Sequence, residues 1–316
     1  MAPIPPQTPI PEHIGAPDVA NIEHLTRILR AVDYQHGGGA CREAILAQTA
    51  YARAMLQSDC SDEVRKDLEL AVADLHNLAA WASFDIGHHS SARKHFASAL
   101  VLAKSNENSS LAANVLYRLG RLHLHRGHFQ QALRFFQLGQ LAAGDADDFV
   151  TVAMLHANIA WAYALMGYGG KAVTALERAQ DEFGRGEGNL PAWVAFFGAA
   201  DLSALTGMVH SLLPADEKED HVTTAINCLT ASINARGSTN TRSTIFELTA
   251  LATARLKAFD TRAGVEDGNR AVDLALQVRS VRTVDRLAPL LEAAQAHPKD
   301  AEAVALARRI VTLQGA

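Results

Sequence analysis

The sequence is poor in cysteine, in aromatic residues and in long apolar runs, and it has no marked excess of either charge. Its three cysteines, Cys41, Cys60 and Cys228, lack the spacing of a metal site or a disulfide framework, which favours a reducing, cytoplasmic location. The longest apolar run, residues 190–200, is about half as long as a membrane-spanning helix must be. A net charge of −5 does not favour nucleic acid or anionic membranes. We therefore expect a cytoplasmic protein with no direct nucleic-acid or membrane contact.

Proline is scarce after the N-terminus, because six of the ten prolines lie within the first 17 residues. Proline fixes its own φ and has no backbone N–H, so this density is incompatible with a helix or a sheet strand. Residues 1–17 are therefore predicted to form an extended linker or tail. Residues 18–316 are predicted to form one elongated domain, since 48% of the chain is hydrophobic, enough for a large core.

What the sequence does contain is a pattern that recurs every 40 residues. Four residue classes keep one register through three copies: Gly87, Gly127 and Gly167; Ala92, Ala132 and Ala172; Phe96, Phe136 and Leu176; Ala99, Gly139 and Ala179. In each copy the first glycine is predicted to end one helix, and the alanine to lie early in the next. The small residues allow these two helices to cross closely, while the bulky residue fills the groove beside them. A fixed period of this kind indicates a helical repeat.

The pattern resembles the tetratricopeptide repeat, a unit of two antiparallel helices. It departs from that family in having a period about six residues longer than 34, and in placing His76, Leu116 and His156 where the first helix usually has an aromatic residue. The resemblance implies an all-α fold, a right-handed tetratricopeptide-like solenoid of about five helix pairs. Core repeats are expected at about residues 70–279, with N-terminal capping helices and with C-terminal capping helices at 280–316. No strand is predicted.

Capping residues and breaks in the repeat predict where several helices begin and end. A long helix is predicted from Ser61 to Ile86, because serine followed by acidic residues suits a helix start, and Pro191 is placed in the first turn of another. Gly207 keeps the 40-residue register, but its second helix begins late, so residues 214–220 are interpreted as a charged surface insertion. The later helices are predicted at residues 246–258, 261–278, 281–296 and 298–313, with the last two covering the open end of the stack.

Beyond the repeat, several segments resemble the C-terminal tetratricopeptide half of actinobacterial helix-turn-helix transcription regulators, of the type that negatively controls differentiation in streptomycetes. One of them is Asp33-Tyr34-Gln35-His36-Gly37-Gly38-Gly39. The others are residues 14–19, 80–85, 113–120, 135–140, 160–164 and 279–287. In that family the DNA-binding helices precede the segment that begins here near Ile14. The resemblance therefore implies a sensing or interaction role for this chain, either as a stand-alone relative or as a regulator from which the DNA-binding domain has been removed.

A candidate ligand-binding groove follows from the repeat register. In such a solenoid the first helices line the concave face, and equivalent positions stack along it roughly 10 Å apart. The position after the small residue of each first helix holds Trp81, Arg121, Trp161 and Asp201. Neighbouring lines hold Asn77, Asn114, Tyr117, Met154 and Phe197. A guanidinium between two indoles can contact aromatic groups and still bind a carboxylate. The alternative is that these side chains pack internally between repeats.

Other candidate sites are weaker. The histidines at 123, 125 and 128 suggest a metal ion, but His123 and His125 diverge by about 200° on a helix, so surface and turn roles are favoured. Gly37-Gly38-Gly39 could bind a phosphate through its amides, although a turn between two helices accounts for it better. Cys41 near a helix start could be a reactive thiolate, but it has no resolving partner. No catalytic residues, metal or cofactor are predicted.

The leading functional hypothesis is a ligand-sensing or protein-interaction module of a transcription regulator. Its partner would be a peptide, a protein or a small-molecule effector bound on the concave face, and a homodimer remains an open alternative. A stand-alone adaptor that binds a partner protein without any role at DNA is the second hypothesis. An enzyme of secondary metabolism built on the helical scaffold is the third.

Overall fold

The structure, a computed structural model, describes residues 8–186, 190–214, 220–236 and 240–315. Fifteen helices lie in these ranges: α1 (Ala16–His36), α2 (Gly38–Met55), α3 (Asp62–Asp85), α4 (His89–Ser105), α5 (Ser109–His125), α6 (Phe129–Asp145), α7 (Phe149–Leu165), α8 (Gly169–Arg185), α9 (Ala199–His210), α10 (His221–Ala235), α11 (Thr241–Lys257), α12 (Thr261–Ala275), α13 (Val281–Asp285), α14 (Ala288–Gln295) and α15 (Ala301–Gln314). Extended pairing there is limited to one bridge, between His13 and Asp59. None of these helices combines the length and apolarity needed to cross a membrane. The predicted all-α helical solenoid is confirmed.

Consecutive helices pack as antiparallel pairs, α3 with α4, α5 with α6, α7 with α8, α9 with α10 and α11 with α12. The same turn closes the first helix of three pairs: Gly87, Gly127 and Gly167 have φ angles of 81°, 74° and 77°. The amide after each glycine then donates to a carbonyl five residues back, as His88 N does to Ser83 O at 2.8 Å. Glycine suits this left-handed position because it has no Cβ, so the prediction that these glycines end helices is confirmed.

The small residues of the repeat do permit close helix crossings. A Cβ added to Gly120 in α5 would overlap the ring of Phe136 in α6, which is fully buried. A Cβ on Gly139 would lie 3.1 Å from the side chain of Leu155 in α7. The contact between Gly120 and Phe136 brings the two helices of one pair close together. The contact between Gly139 and Leu155 packs this pair against the next one. The repeat pattern therefore encodes packing both within and between repeats.

The N-terminal segment differs from a free tail wherever it is described. Residues 1–7 of the predicted 1–17 linker lie outside the described residues. Ile14 is buried, its amide donates to Asp59 O at 3.0 Å, and the Asp59 amide donates to Glu12 O at 2.8 Å. These backbone hydrogen bonds hold the segment against the turn after α2. Helix α1 starts at Ala16, with Pro17 in its first turn, where a missing N–H costs nothing.

Several helix bounds depart from the prediction. Pro191 does not begin a helix, since residues 192–196 form turns and α9 starts at Ala199. Helix α11 starts at Thr241 rather than near residue 246. The predicted capping helix at 281–296 divides into α13 and α14, with Pro289 in the first turn of α14. Residues 215–219 of the predicted insertion lie outside the described residues.

The two ends of the solenoid meet, which the sequence does not predict. Arg242 of α11 donates to both carboxylate oxygens of Asp33 in α1, at 3.2 and 2.8 Å, and lies 3.2 Å from Asp85 of α3. Arg282 of α13 donates to the other oxygen of Asp85 at 3.1 Å. All four side chains are buried, and we call them the clasp. Burial by itself would raise the pKa of the Asp85 carboxyl group. The positive charges of Arg242 and Arg282 together outweigh burial, so the pKa is lowered. The C-terminal helices therefore tie the last repeats to the first.

The three consecutive glycines at 37–39 allow the two ends of the solenoid to approach each other closely. A Cβ on Gly38 would lie 2.5 Å from the carbonyl oxygen of Ala82, and one on Gly39 would lie 2.8 Å from that of Arg279. Only glycine allows the start of α2 to approach both backbones. The Gly38 amide donates to Asp85 Oδ2 at 2.9 Å, so its anionic partner is the protein's own carboxylate. The turn accounts for these glycines without a phosphate.

A pair of histidines between α3 and α4, in which His76 is buried and His95 half-buried, predicts acid-sensitive stability. Nδ1 of His76 lies 2.8 Å from Nδ1 of His95, and burial, followed by the charges of His95 and Arg53, lowers the pKa of His76 to about 4. An unfolded histidine titrates near 6.5, so the unfolded chain binds the additional proton between these values. The contribution of His76 to the free energy of unfolding should be at its full value above about pH 6.5 and should fall toward pH 4, by at most about 1.4 kcal/mol per pH unit.

Urea unfolding at a series of pH values measures this dependence. The His76→Phe variant should flatten the slope, whereas His24→Gln, at an exposed position of α1, should leave it unchanged. An unaltered slope in His76→Phe would show that other groups dominate.

Candidate functional site

The closed superhelix contains two chambers on its concave side. The small chamber has a volume of about 110 Å³, and its wall includes Tyr34, Trp81 and Arg282. The large chamber has a volume of about 480 Å³, and its wall includes Trp161 and Leu212. Met208 and Phe246 belong to both walls. The larger volume lies within the range of typical small-molecule sites.

Six of the nine predicted groove residues lie on these walls. Trp81, Tyr117, Arg121, Phe197 and Asp201 line the small chamber, and Trp161 lines the large one. They come together because Trp81, Arg121, Trp161 and Asp201 share one repeat position, as the 40-residue register predicts.

The other three predicted groove residues line neither chamber. Asn77 donates to Asn114 Oδ1 at 3.0 Å, Asn114 donates to the carbonyl of Trp193 at 3.0 Å, and both are fully buried. Met154 is also fully buried, within the core. The cause is the segment after α8, which folds over this part of the concave face and places Phe196 at 6.1 Å from the Tyr117 ring. In this structure these three side chains pack internally, which is the alternative stated for the groove residues.

Where the two chambers adjoin, arginine guanidinium groups and aromatic rings follow one another in turn. The Arg282 guanidinium lies 4.5 Å from the ring centre of Trp81 and 5.3 Å from that of Phe246. The Arg286 guanidinium lies 5.0 Å from Phe246 and 4.2 Å from Trp161. The last helices therefore place two cations between rings that belong to α3, α7 and α11.

Helix α5 supplies the remaining cations of this arrangement. The Arg118 guanidinium lies 5.2 Å from Trp81, and that of Arg121 lies 4.9 Å from Trp161. Arg121 also donates to the Tyr117 hydroxyl at 3.1 Å. We call Arg118, Arg121, Arg282, Arg286 and the rings between them the arginine–aromatic ladder. It connects the middle of the solenoid to its C-terminal end.

Positive charge exceeds negative charge inside the superhelix. Four interior arginines have carboxylate partners: Arg30 with Asp74, Arg236 with Asp201 and Glu247, Arg242 with Asp33 and Asp85, and Arg282 with Asp85. Three others form no ion pair with the described residues, namely Arg118, Arg121 and Arg286. Arg118 donates to the Asn77 carbonyl at 3.1 Å, while Arg286 has no hydrogen-bond acceptor in the described part of the chain. The ladder therefore carries uncompensated guanidinium groups.

Burial, reinforced by the neighbouring arginines, lowers the pKa values of Arg118, Arg282 and Arg286. Burial lowers the pKa of Arg286 well below its usual value, and repulsion from Arg121 and Arg282 adds to the effect. Burial and the neighbouring Arg30 lower the pKa of Arg118. The pKa of Arg282 falls to about 10, because burial outweighs the attraction of Asp85. These positive charges are unfavourable where they lie, and a nearby anion would stabilise them.

The repeat register does not identify the C-terminal half of the ladder. Arg282 and Arg286 lie four residues apart and therefore project from the same side of α13 and its C-terminal cap, a spacing that the sequence does contain. The sequence places both arginines in a predicted C-terminal capping helix, because nothing in it shows that this segment returns to α3. For Phe246, the sequence predicts only that it begins a helix. Its place in both chamber walls depends on the curvature of the whole solenoid.

The histidine cluster and Cys41 have structural surroundings that oppose a metal or redox role. His125 Nε2 lies 3.1 Å from Asp285 Oδ2, and burial together with nearby arginines lowers the pKa of His125 to about 3, so a neutral imidazole donates to the carboxylate. Across the described ranges, no three histidine, cysteine, aspartate or glutamate residues are grouped to hold a metal ion. Burial raises the pKa of the Cys41 thiol to about 12, which opposes a reactive thiolate.

The chemistry of the site follows from its contents. Arg286, which has no carboxylate partner, lies on the wall of the large apolar chamber, and Arg121 lies on the wall of the small chamber, with Trp161 contacting both guanidinium groups. The site therefore offers charge-assisted hydrogen bonds and apolar contacts to one molecule. Scans of the chain against profiles of known protein families and against curated proteins find no match.

Proposed function

We propose that this chain is the ligand-sensing module of a transcription regulator and that it binds a small molecule or a short peptide segment inside the closed superhelix. The observation that supports this most directly is the position of the chambers. The small chamber combines Tyr34 of α1 and Trp81 of α3 with Phe246 of α11 and Arg282 of α13. A molecule in the small chamber would thus contact the beginning and the end of the solenoid at once, and one in the large chamber would contact α5 and α7 together with α11 and α14.

This position allows binding to control conformation. A ligand shifts an equilibrium only by the difference between its affinities for the two states. If the clasp opens, a molecule in the chambers loses the contacts that one end provides, so it binds the closed state more tightly. Occupancy then favours closure, and a DNA-binding segment joined to the solenoid would experience the change. The resemblance of residues 33–39 and 279–287 to transcription regulators supports this role, and both segments lie at the closure.

A protein-interaction adaptor is the second candidate. Val101, Leu138 and Leu141 on α4 and α6 have exposed fractions of 66%, 51% and 69%. Val101 and Leu141 occupy equivalent positions in successive repeats, so they extend one apolar surface across two helix pairs. A partner protein or a second copy of the chain could cover it. We propose no catalytic role and no direct contact with nucleic acid or membranes.

Filling the large chamber tests the ligand-sensing function. Ala250 lies on its wall, so Ala250→Trp places an indole in the space that a ligand would occupy. We expect members of a small-molecule fragment collection to bind the unmodified chain with 1:1 stoichiometry in native mass spectrometry, and to bind Ala250→Trp at least about tenfold more weakly.

The matched control is Ala97→Trp, at an exposed position of α4, which should bind the same fragments as the unmodified chain. Equal binding by Ala250→Trp, or no fragment bound by the unmodified chain, would remove the chamber as a ligand site. The adaptor function would then be preferred.

A further inference from the structure

We infer that the ligand of this site is an amphipathic organic anion, with its negatively charged head group at Arg286 and Arg121 beside Trp161 and its apolar body in the large chamber. This inference rests on the proposed function and names the class of molecule that the site would select. The head group would be a carboxylate or a phosphate ester, both of which match the planar guanidinium fork.

The need for an anion follows from the charges around the ladder. The guanidinium groups of Arg121 and Arg286 both contact the Trp161 ring, at 4.9 and 4.2 Å, so two cations share one aromatic residue. Neither forms an ion pair with a described residue. Both side chains are half-buried, so each charge is partly removed from water, which is costly unless the charge is paired and hydrogen-bonded. An anionic head group supplies both the opposite charge and the acceptors that Arg286 lacks.

The other charged groups on the large chamber do not supply this anion. Asp285 is bonded to His125 at 3.1 Å and forms no ion pair with Arg286 or Arg121. Lys257 lies on the same wall and adds positive charge. In the small chamber, Asp201 and Glu247 are both occupied by Arg236, at 2.8 and 2.5 Å. Both chambers are therefore left with a surplus of cations.

The apolar body follows from the rest of the large chamber. Leu124, Phe129, Leu165, Leu212 and Pro289 contribute to its wall. A purely inorganic anion would leave this surface without contacts, whereas a ring or a short acyl group would remove it from water. Burial of such apolar area stabilises a complex by about 25 cal/mol per Å². The site therefore selects molecules that carry both parts.

Three probes of one shape separate these contributions: 2-naphthoate, 2-naphthyl phosphate and the neutral alcohol 2-naphthalenemethanol. With the purified full chain, titration calorimetry should show at least one of the anions binding about tenfold or more tightly than the alcohol, since charge-assisted hydrogen bonds account for this difference. A tighter phosphate assigns a phosphate head group, and a tighter naphthoate assigns a carboxylate. The Arg286→Met and Arg121→Met variants should lose the preference while binding the alcohol as before.

The stability of the unliganded Arg286→Met variant distinguishes a ligand-binding role from a structural one. If Arg286 serves to bind an absent anion, removing its unpaired charge should leave the melting temperature unchanged or raise it by about 2 °C. If the ladder serves only to join helices, the same change should lower the melting temperature. Arg255→Met removes an arginine from α11 that pairs with Asp267 outside the chambers, so it should not alter naphthoate affinity.

The outcomes separate this inference from the proposed function. Suppose that the alcohol and both anions bind with equal affinity and that Ala250→Trp abolishes the binding of all three. This result would overturn the inference that the ligand is an anion but leave the ligand site intact. A lower melting temperature for Arg286→Met with unchanged naphthoate affinity would also overturn it. If none of the three probes binds while other fragments still do, only this inference fails. If no fragment binds at all, the proposed function fails with it.

Discussion

Replacing Arg242 by methionine is expected to reduce the free energy of unfolding by about 3–5 kcal/mol. Arg242 donates to Asp33 at 3.2 and 2.8 Å and lies 3.2 Å from Asp85, and both carboxylates are fully buried. Methionine fills a similar volume but leaves Asp33 buried as an unpaired charge. The penalty is therefore that of a buried carboxylate without a partner, rather than the net value of the pair itself.

Urea unfolding measures the loss, and hydrogen exchange locates it. Amides of α1 and α11 should exchange faster in Arg242→Met, because these helices are joined at the clasp. The control is Arg309→Met, which breaks an exposed pair with Asp273 and should change stability by at most about 1 kcal/mol. The double variant Arg242→Met with Asp33→Asn should recover part of the loss, since the amide is neutral. A loss below about 1 kcal/mol in Arg242→Met would mean that the clasp does not hold the ends together.

Truncating Phe136 to alanine is the second large effect, with an expected loss of about 3–5 kcal/mol. Phe136 is fully buried between α5 and α6, and its ring lies against the backbone of Gly120. Removing the ring loses apolar burial and leaves a cavity that two packed helices cannot fully close. Leu138→Ala, at a 51% exposed position of the same helix, should cost less than about 1 kcal/mol.

A double-mutant cycle makes this prediction sharper. In the unmodified chain, Gly120→Ala should destabilise, because its Cβ would overlap the Phe136 ring. In the Phe136→Ala background the same change has space, and alanine is intrinsically more favourable in a helix than glycine by about 1 kcal/mol. The sign of the Gly120→Ala effect should therefore reverse, as measured by urea unfolding. An additive cycle would show that the two positions do not pack on each other.

The repeat could be predicted from sequence because its determinants are local. Gly87, Gly127 and Gly167 each end a helix at a position where a positive φ is needed, and this depends on a few neighbouring residues. Trp81 and Trp161 reach the chamber walls through the same register. Segments without the repeat were less predictable. Pro191 suits a helix start, but the segment after it instead folds across the concave face, where Trp193 accepts a hydrogen bond from Asn114.

The site could be predicted only in part, for a physical reason. Sequence register placed Trp81, Arg121 and Trp161 in one row, which is a relation between adjacent repeats. It could not place Arg282 or Arg286 against that row, since they are separated from it by more than a hundred residues. That distance is bridged only when small rotations between successive helix pairs add up to a closed turn.

The sequence by itself therefore determined the helical repeat, its glycine turns, its small-residue crossings and the row of aromatic and charged residues on the concave side. These depend on periods and spacings that act within one or two helix pairs. The tertiary structure decided that the superhelix closes, that Asp33 and Asp85 meet Arg242 and Arg282, and that Arg286, which has no carboxylate partner, lies on the wall of an apolar chamber. Those features depend on the accumulated curvature of the whole solenoid, which no local pattern specifies.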